Sequence, residues 1–289
     1  MSRAPGPHIP GGTGQSGLSG ARTNAGHPAA IRLRPKASAV LALTSLIGVA
    51  AFGWPLLIHS SSQANLAHST DAPWVFIAIL PLLLAVVLSE LAEGSLDAKA
   101  IALLGILAAC GCALRIPSPG VAGFEPVFFL LTPSGRVFGR GFGFVLGAVT
   151  IAASALFTGG IGPWLPFQML GAAWIGFGAG CLPAARGKAE LIMLAGYAAI
   201  SSLLYGALLN LWFWPFGAGT STTFSYEPGA GVLQNLHAFF FFDLTTSLGF
   251  DIPRAITNAL LVLVLGRPVL AALRRASRRA SFDAPVVYS

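Results

Sequence analysis

The residues best suited to hold a ligand begin in a ten-residue stretch that runs from Gly159 to Gln168. This stretch holds three glycines, two prolines, an indole and a carboxamide, and it lies between two long apolar runs. Such a density of Gly and Pro predicts a turn. Trp164 could stack on a ring-bearing ligand, although Trp is also enriched at membrane interfaces. Gln168 could orient a polar group of that ligand, or it could cap backbone groups freed near Pro166.

Further polar and aromatic side chains lie at the ends of the apolar runs. Arg115 and Glu125 either pair with each other at the rim of a pocket or are solvated helix ends. Asp251 also fits an N-cap, because Pro253 would then lie in the first helical turn. The candidate substrate-binding residues are Trp164, Gln168, Arg115, Glu125, Trp214, Tyr226, Asp243, Asp251 and Arg254.

No motif for catalysis or for nucleotide binding occurs in the sequence. Gly187-Lys188 is followed by Ala189, so the phosphate-binding loop that ends in Lys-Ser or Lys-Thr is missing. There is also no His-Glu-x-x-His, no Gly-x-Ser-x-Gly and no His/Cys cluster with metal-ligand spacing. We therefore predict no catalytic residue, no metal and no cofactor in this chain. The three cysteines, Cys110, Cys112 and Cys181, lie in apolar runs and are predicted to be buried packing residues without a disulfide.

The composition shows which elements must position these side chains. Hydrophobic residues make up 55% of the chain and charged residues only 9%, and the mean hydropathy is +0.75. A soluble domain carries about 25% charged residues. The long unbroken apolar runs predict an all-α polytopic membrane protein, since a membrane barrel would show short alternating strands.

The basic residues fall in the tails and in short loops, which predicts a multi-pass protein of the cell membrane with both termini in the cytoplasm. The net charge of +7 is therefore no sign of nucleic-acid binding. We divide the chain into a disordered cytoplasmic tail (1–36), two extra transmembrane helices (37–97), a six-helix core (98–275) and a basic C-terminal tail (276–289). The predicted crossings are Ala37–Ile58, Pro73–Leu91, Ala98–Arg115, a short crossing at 124–132, Val137–Leu156, Phe167–Leu182, Ala189–Trp212 and Asp251–Leu273. Residues 213–249 are predicted to form an interfacial lid on the outer side.

From Ala102 to Pro183 the chain resembles the substrate-specific (S) component of energy-coupling-factor (ECF) transporters, in the form common in actinobacteria. The fairly specific part is the run Gly-Pro-Trp-Leu-Pro-Phe-Gln at 162–168, and Asp251-Ile252-Pro253-Arg254-Ala255 fits the start of the last helix of that group. The other resembling runs are 103–109 with Arg115, 128–131, 135–139 and 141–147.

The resemblance implies a six-helix S component that captures a vitamin at the outer face of the membrane, with cobalamin as the first choice. It implies a transmembrane coupling subunit and two ATPase subunits as partners, and those ATPases would bind the ATP. It also implies an Ala-x-x-x-Ala pattern for docking on the coupling subunit. Both Ala109 with Ala113 and Ala98 with Ala102 fit that pattern.

Two other functions stay open at this stage. An integral-membrane enzyme acting on a lipid-linked substrate would need a cluster of acids, a histidine or a nucleophile near one interface, and only the region of Asp243, Asp251 and His237 offers one. A structural membrane subunit would bind no ligand at all.

Overall fold

A computed structural model of the chain describes residues 35–57, 98–117, 121–217 and 224–280. The described part contains eight helices of 12 residues or more, which we number in chain order. They are α1 (Pro35–Phe52), α2 (Ala98–Arg115), α3 (Val127–Phe138), α4 (Arg140–Thr158), α5 (Leu165–Cys181), α6 (Gly187–Gly217), α7 (Val232–Thr246) and α8 (Leu248–Ala280). The predicted helix Pro73–Leu91, the tail before residue 35 and residues 281–289 lie outside the described ranges.

The prediction of an all-α membrane protein is confirmed. Four helices, α2, α4, α6 and α8, are long and apolar enough to cross a membrane. Six of the eight helices, α2 to α6 and α8, form the predicted core. The predicted lid contains the last turns of α6, which continues to Gly217, and the whole of α7.

The short helix α3 lies in the middle of the bundle. It packs against α2, α4, α5, α6 and α8, and nearly all of its residues are buried. Twelve residues give a helix about 18 Å long, and Arg136 in its last turn reaches the opposite end of the bundle from Val127. The segment predicted as a crossing at 124–132 is therefore longer and begins later, and it is buried in protein, where a short helix is tolerated at membrane depth.

Helices α4 and α5 approach each other through glycines. A Cβ atom at Gly143 or Gly176 would overlap the carbonyl oxygen of the other residue, and a Cβ at Gly147 would overlap the carbonyl of Ala172. Small residues at this spacing let two backbones come close and gain dispersion energy where no hydrophobic effect acts. The predicted helix Val137–Leu156 is wrong at its start, because Gly139 has a φ of 102° and separates α3 from α4.

Helix α1 packs against α5 and α6. Gly48 lets it approach Leu170, and the Trp174 indole donates a hydrogen bond to Ser45 Oγ at 3.0 Å. At the end of α1, the ring of Phe52 lies 4.9 Å from that of Phe167 in an edge-on arrangement. One face of this extra N-terminal helix therefore packs on the core from Ser45 to Phe52.

The helices define two ends of the bundle, which we call the Gln168 end and the Glu190 end. At the Glu190 end, the buried carboxylate of Glu190 accepts hydrogen bonds from Arg136 Nε at 3.1 Å and from Arg274 Nη2 at 2.6 Å. Arg136 also donates to the Leu182 carbonyl at 2.8 Å. These contacts join α3, α5, α6 and α8 at one level.

Three further predictions need correction. Asp251 is no N-cap, because α8 begins at Leu248 and Asp251 lies inside its first turn. Helix α8 also continues beyond the predicted end at Leu273, as far as Ala280. Of the cysteines only Cys112 is buried, whereas Cys110 and Cys181 are exposed on the outside of the bundle, where an apolar side chain can face lipid as well as core.

Candidate functional site

Six polar side chains meet at the Gln168 end of the bundle because five helix ends meet there. Arg115 is the last residue of α2, and Glu125 lies two residues before α3. Ser154 lies in the last turns of α4, and Gln168 lies in the first turn of α5. Arg254 lies in the second turn of α8, one turn after Asp251. Alternating helix direction brings these ends to the same level.

A buried chain of charges links these helix ends. Glu125 uses both carboxylate oxygens, since Oε1 lies 3.2 Å from Arg115 Nε and Oε2 lies 3.2 Å from Arg254 Nε. Arg254 Nη1 in turn donates to Asp251 Oδ1 at 2.6 Å. Arg115 and Glu125 are each only 3% exposed. Two acids and two bases balance one another, which is the condition under which charges can be buried at all.

Arg115 extends the chain of charges toward the turn at 159–168. Its Nη1 donates to Ser154 Oγ at 2.9 Å and its Nη2 donates to Gln168 Oε1 at 3.1 Å. The planar guanidinium offers five donors in a fixed fork, so one side chain orients groups from the segment before α3, from α4 and from α5. We call Asp251, Arg254, Glu125, Arg115, Ser154 and Gln168 the buried polar network.

Asn258 and Tyr205 hold the α8 side of the network. The Asn258 amide donates to the Glu125 carbonyl at 3.0 Å, and its oxygen accepts from the Phe129 backbone N–H at 2.7 Å. That N–H belongs to the first turn of α3 and also donates to the Pro126 carbonyl at 3.2 Å. The ring of Tyr205 lies 5.5 Å from the Arg254 guanidinium carbon, an arrangement that favours a cation. These contacts fix the segment before α3 against α8.

Aromatic residues beside the network form a small core of their own. Trp214 is fully buried and its indole N–H donates to the Phe224 carbonyl. Its ring centre lies 5.4 Å from that of Tyr226 and 5.6 Å from that of Phe239. Burial raises the pKa of Tyr226. This cluster fastens the 224–231 loop and α7 onto the end of α6.

Asp243 on α7 also faces α6. Its Oδ1 accepts a hydrogen bond from Asn210 Nδ2 at 2.9 Å, and the same amide contacts Ser247 Oγ. Burial raises the pKa of the Asp243 carboxyl, and the hydrogen bonds from Asn210 and Ser247 act against that rise. Asp243 therefore attaches the lid to α6.

The turn at 159–168 is held by its own tryptophan. The Trp164 indole donates to the Gly160 carbonyl at 3.1 Å and its ring covers Gly162, where a Cβ would collide with it. Gly159 ends α4 in the left-handed conformation, with a φ of 66°. Trp164 remains 42% exposed, so one face of the ring is free for a ligand or for lipid headgroups.

The nine predicted binding residues therefore separate into groups. Arg115, Glu125, Gln168, Asp251 and Arg254 lie together in the buried polar network. Trp214 and Tyr226 lie in the aromatic core of the lid, Asp243 joins the lid to α6, and Trp164 covers the turn. The sequence pattern did not identify Ser154, Asn258, Tyr205 or Asn210, although the spacing of Arg254 and Asn258 by four residues places both on one face of α8.

The alanines predicted to dock a partner all lie on the outside of α2. Ala98, Ala102, Ala109 and Ala113 are exposed, and so is Gly105 between them. The buried face of α2 carries a different set, which includes Leu104, Ala108 and Cys112. A smooth strip of small residues therefore faces away from the core along the whole helix.

Comparison with known proteins adds one finding. The family model described as "ECF transporter, substrate-specific component" matches residues 99–266. No curated protein and no solved structure matches the chain. The matched region begins in α2 and ends within α8, so it contains every residue of the buried polar network.

Proposed function

Because the chain belongs to the family of substrate-specific components of ECF transporters, we propose that it captures a vitamin at the outer face of the cell membrane for ATP-driven uptake. Cobalamin is the favoured vitamin, on the likeness to the actinobacterial form of the family. The family is one of transporter components, and in our proposal this chain catalyses no reaction and carries no cofactor.

The buried polar network is the observation that carries this proposal. Ionisable groups inside a membrane protein are expensive, and they mark the pathways and binding sites of substrates. Here four of them lie at one end of the bundle, beside an exposed indole and a glycine-rich turn. Gln168 is the last residue of that turn, and Arg115 donates a hydrogen bond to it. A ligand with amide or carbonyl groups would form hydrogen bonds with these two side chains in place of the bond between them.

The aromatic lid supports the same location. Trp214 and Tyr226 hold the loop before α7 onto the end of α6, next to the Gln168 end. A segment held by one small aromatic cluster and by the hydrogen bond between Asn210 and Asp243 opens at lower free energy than the core does. In our proposal this lid covers the bound vitamin, and the turn at 159–168 forms the opposite wall of the pocket.

The distribution of positive charge supports an external Gln168 end. Among the described residues only two basic side chains, Arg115 and Arg254, belong to the Gln168 end, and both are paired with carboxylates. The Glu190 end carries the rest, including Arg136, Arg140 and Arg274. Basic residues accumulate on the cytoplasmic side of membrane proteins, so both termini are cytoplasmic in this proposal.

The exposed strip on α2 fits the partner that the family requires. We assign docking on the transmembrane coupling subunit to Ala109 and Ala113, with Ala98 and Ala102 as the second pair. Small residues let a partner helix approach closely. Two ATPase subunits would bind the ATP and drive the reorientation that releases the vitamin.

A binding screen tests the capture of a vitamin. The purified protein is titrated with B vitamins including cobalamin, and tryptophan fluorescence is compared between wild type and Trp164→Phe. Tight binding of one vitamin with a Trp164-dependent signal is the expected result. Arg115→Gln should weaken that binding, whereas Arg186→Gln, at an exposed position of the other end, should leave it unchanged. If none of the vitamins binds, the capture function is refuted.

Docking is tested separately by co-purification of the coupling subunit and the ATPases. Ala109→Leu adds a branched side chain to the strip and should reduce the amount of complex recovered. Ile106→Leu is the matched control, because it keeps a large apolar residue at an already exposed position of the same helix. Undiminished recovery with Ala109→Leu and Ala102→Leu would remove the assignment of this face.

A further inference from the structure

An open groove of about 540 Å³ lies between α1 and the core, away from the buried polar network. One wall is a single face of α1 that runs from Ser38 to Val49. The other wall is formed by Trp174 and Phe177 of α5, and Arg140 at the start of α4 closes one end. The groove belongs to the attachment of the N-terminal helix and has no part in the proposed capture of a vitamin.

The dimensions of the groove match one leaflet of a bilayer. The α1 wall covers eleven residue steps, which is about 16 Å of helix, and half of the hydrocarbon core of a membrane is about 15 Å. Most of the side chains along it are apolar, among them Leu41, Leu46 and Val49. An acyl chain lying parallel to α1 would therefore touch apolar atoms from the headgroup region to the middle of the bilayer.

The single charge of the groove lies at its surface end. Arg140 is the first residue of α4, at the Glu190 end, and it is exposed. Its neighbour Arg136 is neutralised by Glu190, whereas Arg140 has no carboxylate partner among the described residues. Ser38 lines the same end of the groove and offers a hydroxyl group. Cationic and hydroxyl donors at the level of the headgroups suit a phosphate.

We infer that this groove is a binding site for one anionic phospholipid of the leaflet at the Glu190 end. The phosphate binds Arg140, with Ser38 as a second donor, and one acyl chain fills the space between α1 and α5. Charge complementarity selects a lipid over an apolar protein helix, which would leave the guanidinium uncompensated. The lipid completes the contact between the extra N-terminal helix and the core.

Native mass spectrometry of the detergent-purified full chain tests this site. Phosphatidylglycerol and phosphatidylcholine with identical acyl chains are added in turn, and the fraction with one lipid bound is measured. Wild type should prefer phosphatidylglycerol. A basic residue near an anionic lipid contributes about 1 kcal/mol, so Arg140→Gln should weaken phosphatidylglycerol binding roughly fivefold. Arg186→Gln, an exposed arginine of the same end outside the groove, should leave it unchanged.

Two further measurements separate the acyl chain from the headgroup. Ala42→Trp fills the groove and should abolish retention of the lipid, whereas Ala39→Trp, on an exposed position of α1 that does not line the groove, should not. Glycerol phosphate in excess should fail to displace the lipid. Equal binding of both lipids by wild type, full retention in Arg140→Gln, or full retention in Ala42→Trp would each overturn the inference, and displacement by glycerol phosphate would identify a free phosphate as the ligand instead.

Discussion

Replacement of Glu125 by glutamine is the most direct test of the buried polar network. Glu125 is the central member, since its two oxygens lie 3.2 Å from Arg115 Nε and 3.2 Å from Arg254 Nε. The amide keeps the size of the side chain and removes its charge. The network then holds two guanidinium groups against the single carboxylate of Asp251.

The size of the effect follows from these distances. At 3.2 Å and an effective dielectric constant of about 20, each ion pair has a gross attraction of roughly 5 kcal/mol. Part of this loss is offset, because a neutral glutamine costs less than a carboxylate to transfer from water into the protein interior. Removal of one partner from a buried pair costs about 3–5 kcal/mol in measured cases. A change of 1 kcal/mol moves the melting temperature of a protein of this size class by about 2–4 °C, so we expect a fall of roughly 10 °C.

The assay is thermal unfolding of the purified protein in detergent, followed by tryptophan fluorescence. Glu227→Gln is the matched control, because Glu227 is exposed and its carboxylate accepts a hydrogen bond only from Gln234 among the described residues, at 2.8 Å. That control should melt within about 1–2 °C of wild type, as surface substitutions do. The double variant Glu125→Gln/Arg115→Gln should lose less than the sum of the two single variants, because it removes both members of one pair. A melting temperature of Glu125→Gln equal to that of the control would refute the network as a buried, charge-balanced unit.

Three other substitutions test neighbouring features of the fold. Gly176→Ala should lower the melting temperature by several degrees, because the new methyl group would overlap the Gly143 carbonyl oxygen, at a cost of about 1–3 kcal/mol. Gly196→Ala is the control, since a Cβ there meets open space, and it should have no such effect. Equal melting temperatures of the two variants would contradict the close packing of α4 on α5. Asn258→Ala leaves a backbone N–H and a carbonyl group without their side-chain partner and should destabilise by about 1–3 kcal/mol, which an unchanged denaturation midpoint would disprove. Glu190→Gln removes the carboxylate that lies between Arg136 and Arg274 at the other end of the bundle, so the two arginines then repel each other. The melting temperature should fall and should recover partly at high salt. A melting temperature that does not depend on salt would show that these charges are not coupled.

Much of the architecture could be predicted from local pattern. Long apolar runs with few charges allow only helices in a membrane, and the bounds of Ala98–Arg115 follow from a change in composition at each end. The prediction failed where a single residue changes the backbone. Gly139 adopts a positive φ and ends one helix before the next begins, which apolar periodicity does not reveal because glycine is common in membrane helices as well.

The candidate site was predictable as a set of residues but not as a set of contacts. Charged and aromatic side chains at the ends of helices are conspicuous in a chain with so few charges. Whether Arg115 and Glu125 pair or face solvent was open, and the structure shows a buried pair at 3.2 Å. Trp214 was predicted to bind the substrate as well, but its side chain packs in the aromatic core of the lid and is not part of the buried polar network.

The sequence by itself determined that this protein is a helical membrane protein, which of its ends carries excess positive charge, and which polar residues lie near the other end. These properties depend on composition and on order along the chain. Only the tertiary structure decided that Glu125 lies between Arg115 and Arg254 and that Gln168 accepts a hydrogen bond from Arg115. The physical reason is that a buried charge must find its partner among whichever helices pack beside it. That choice is made by the close approach of glycine-lined helices and by the burial of α3, which involve residues far apart in the sequence.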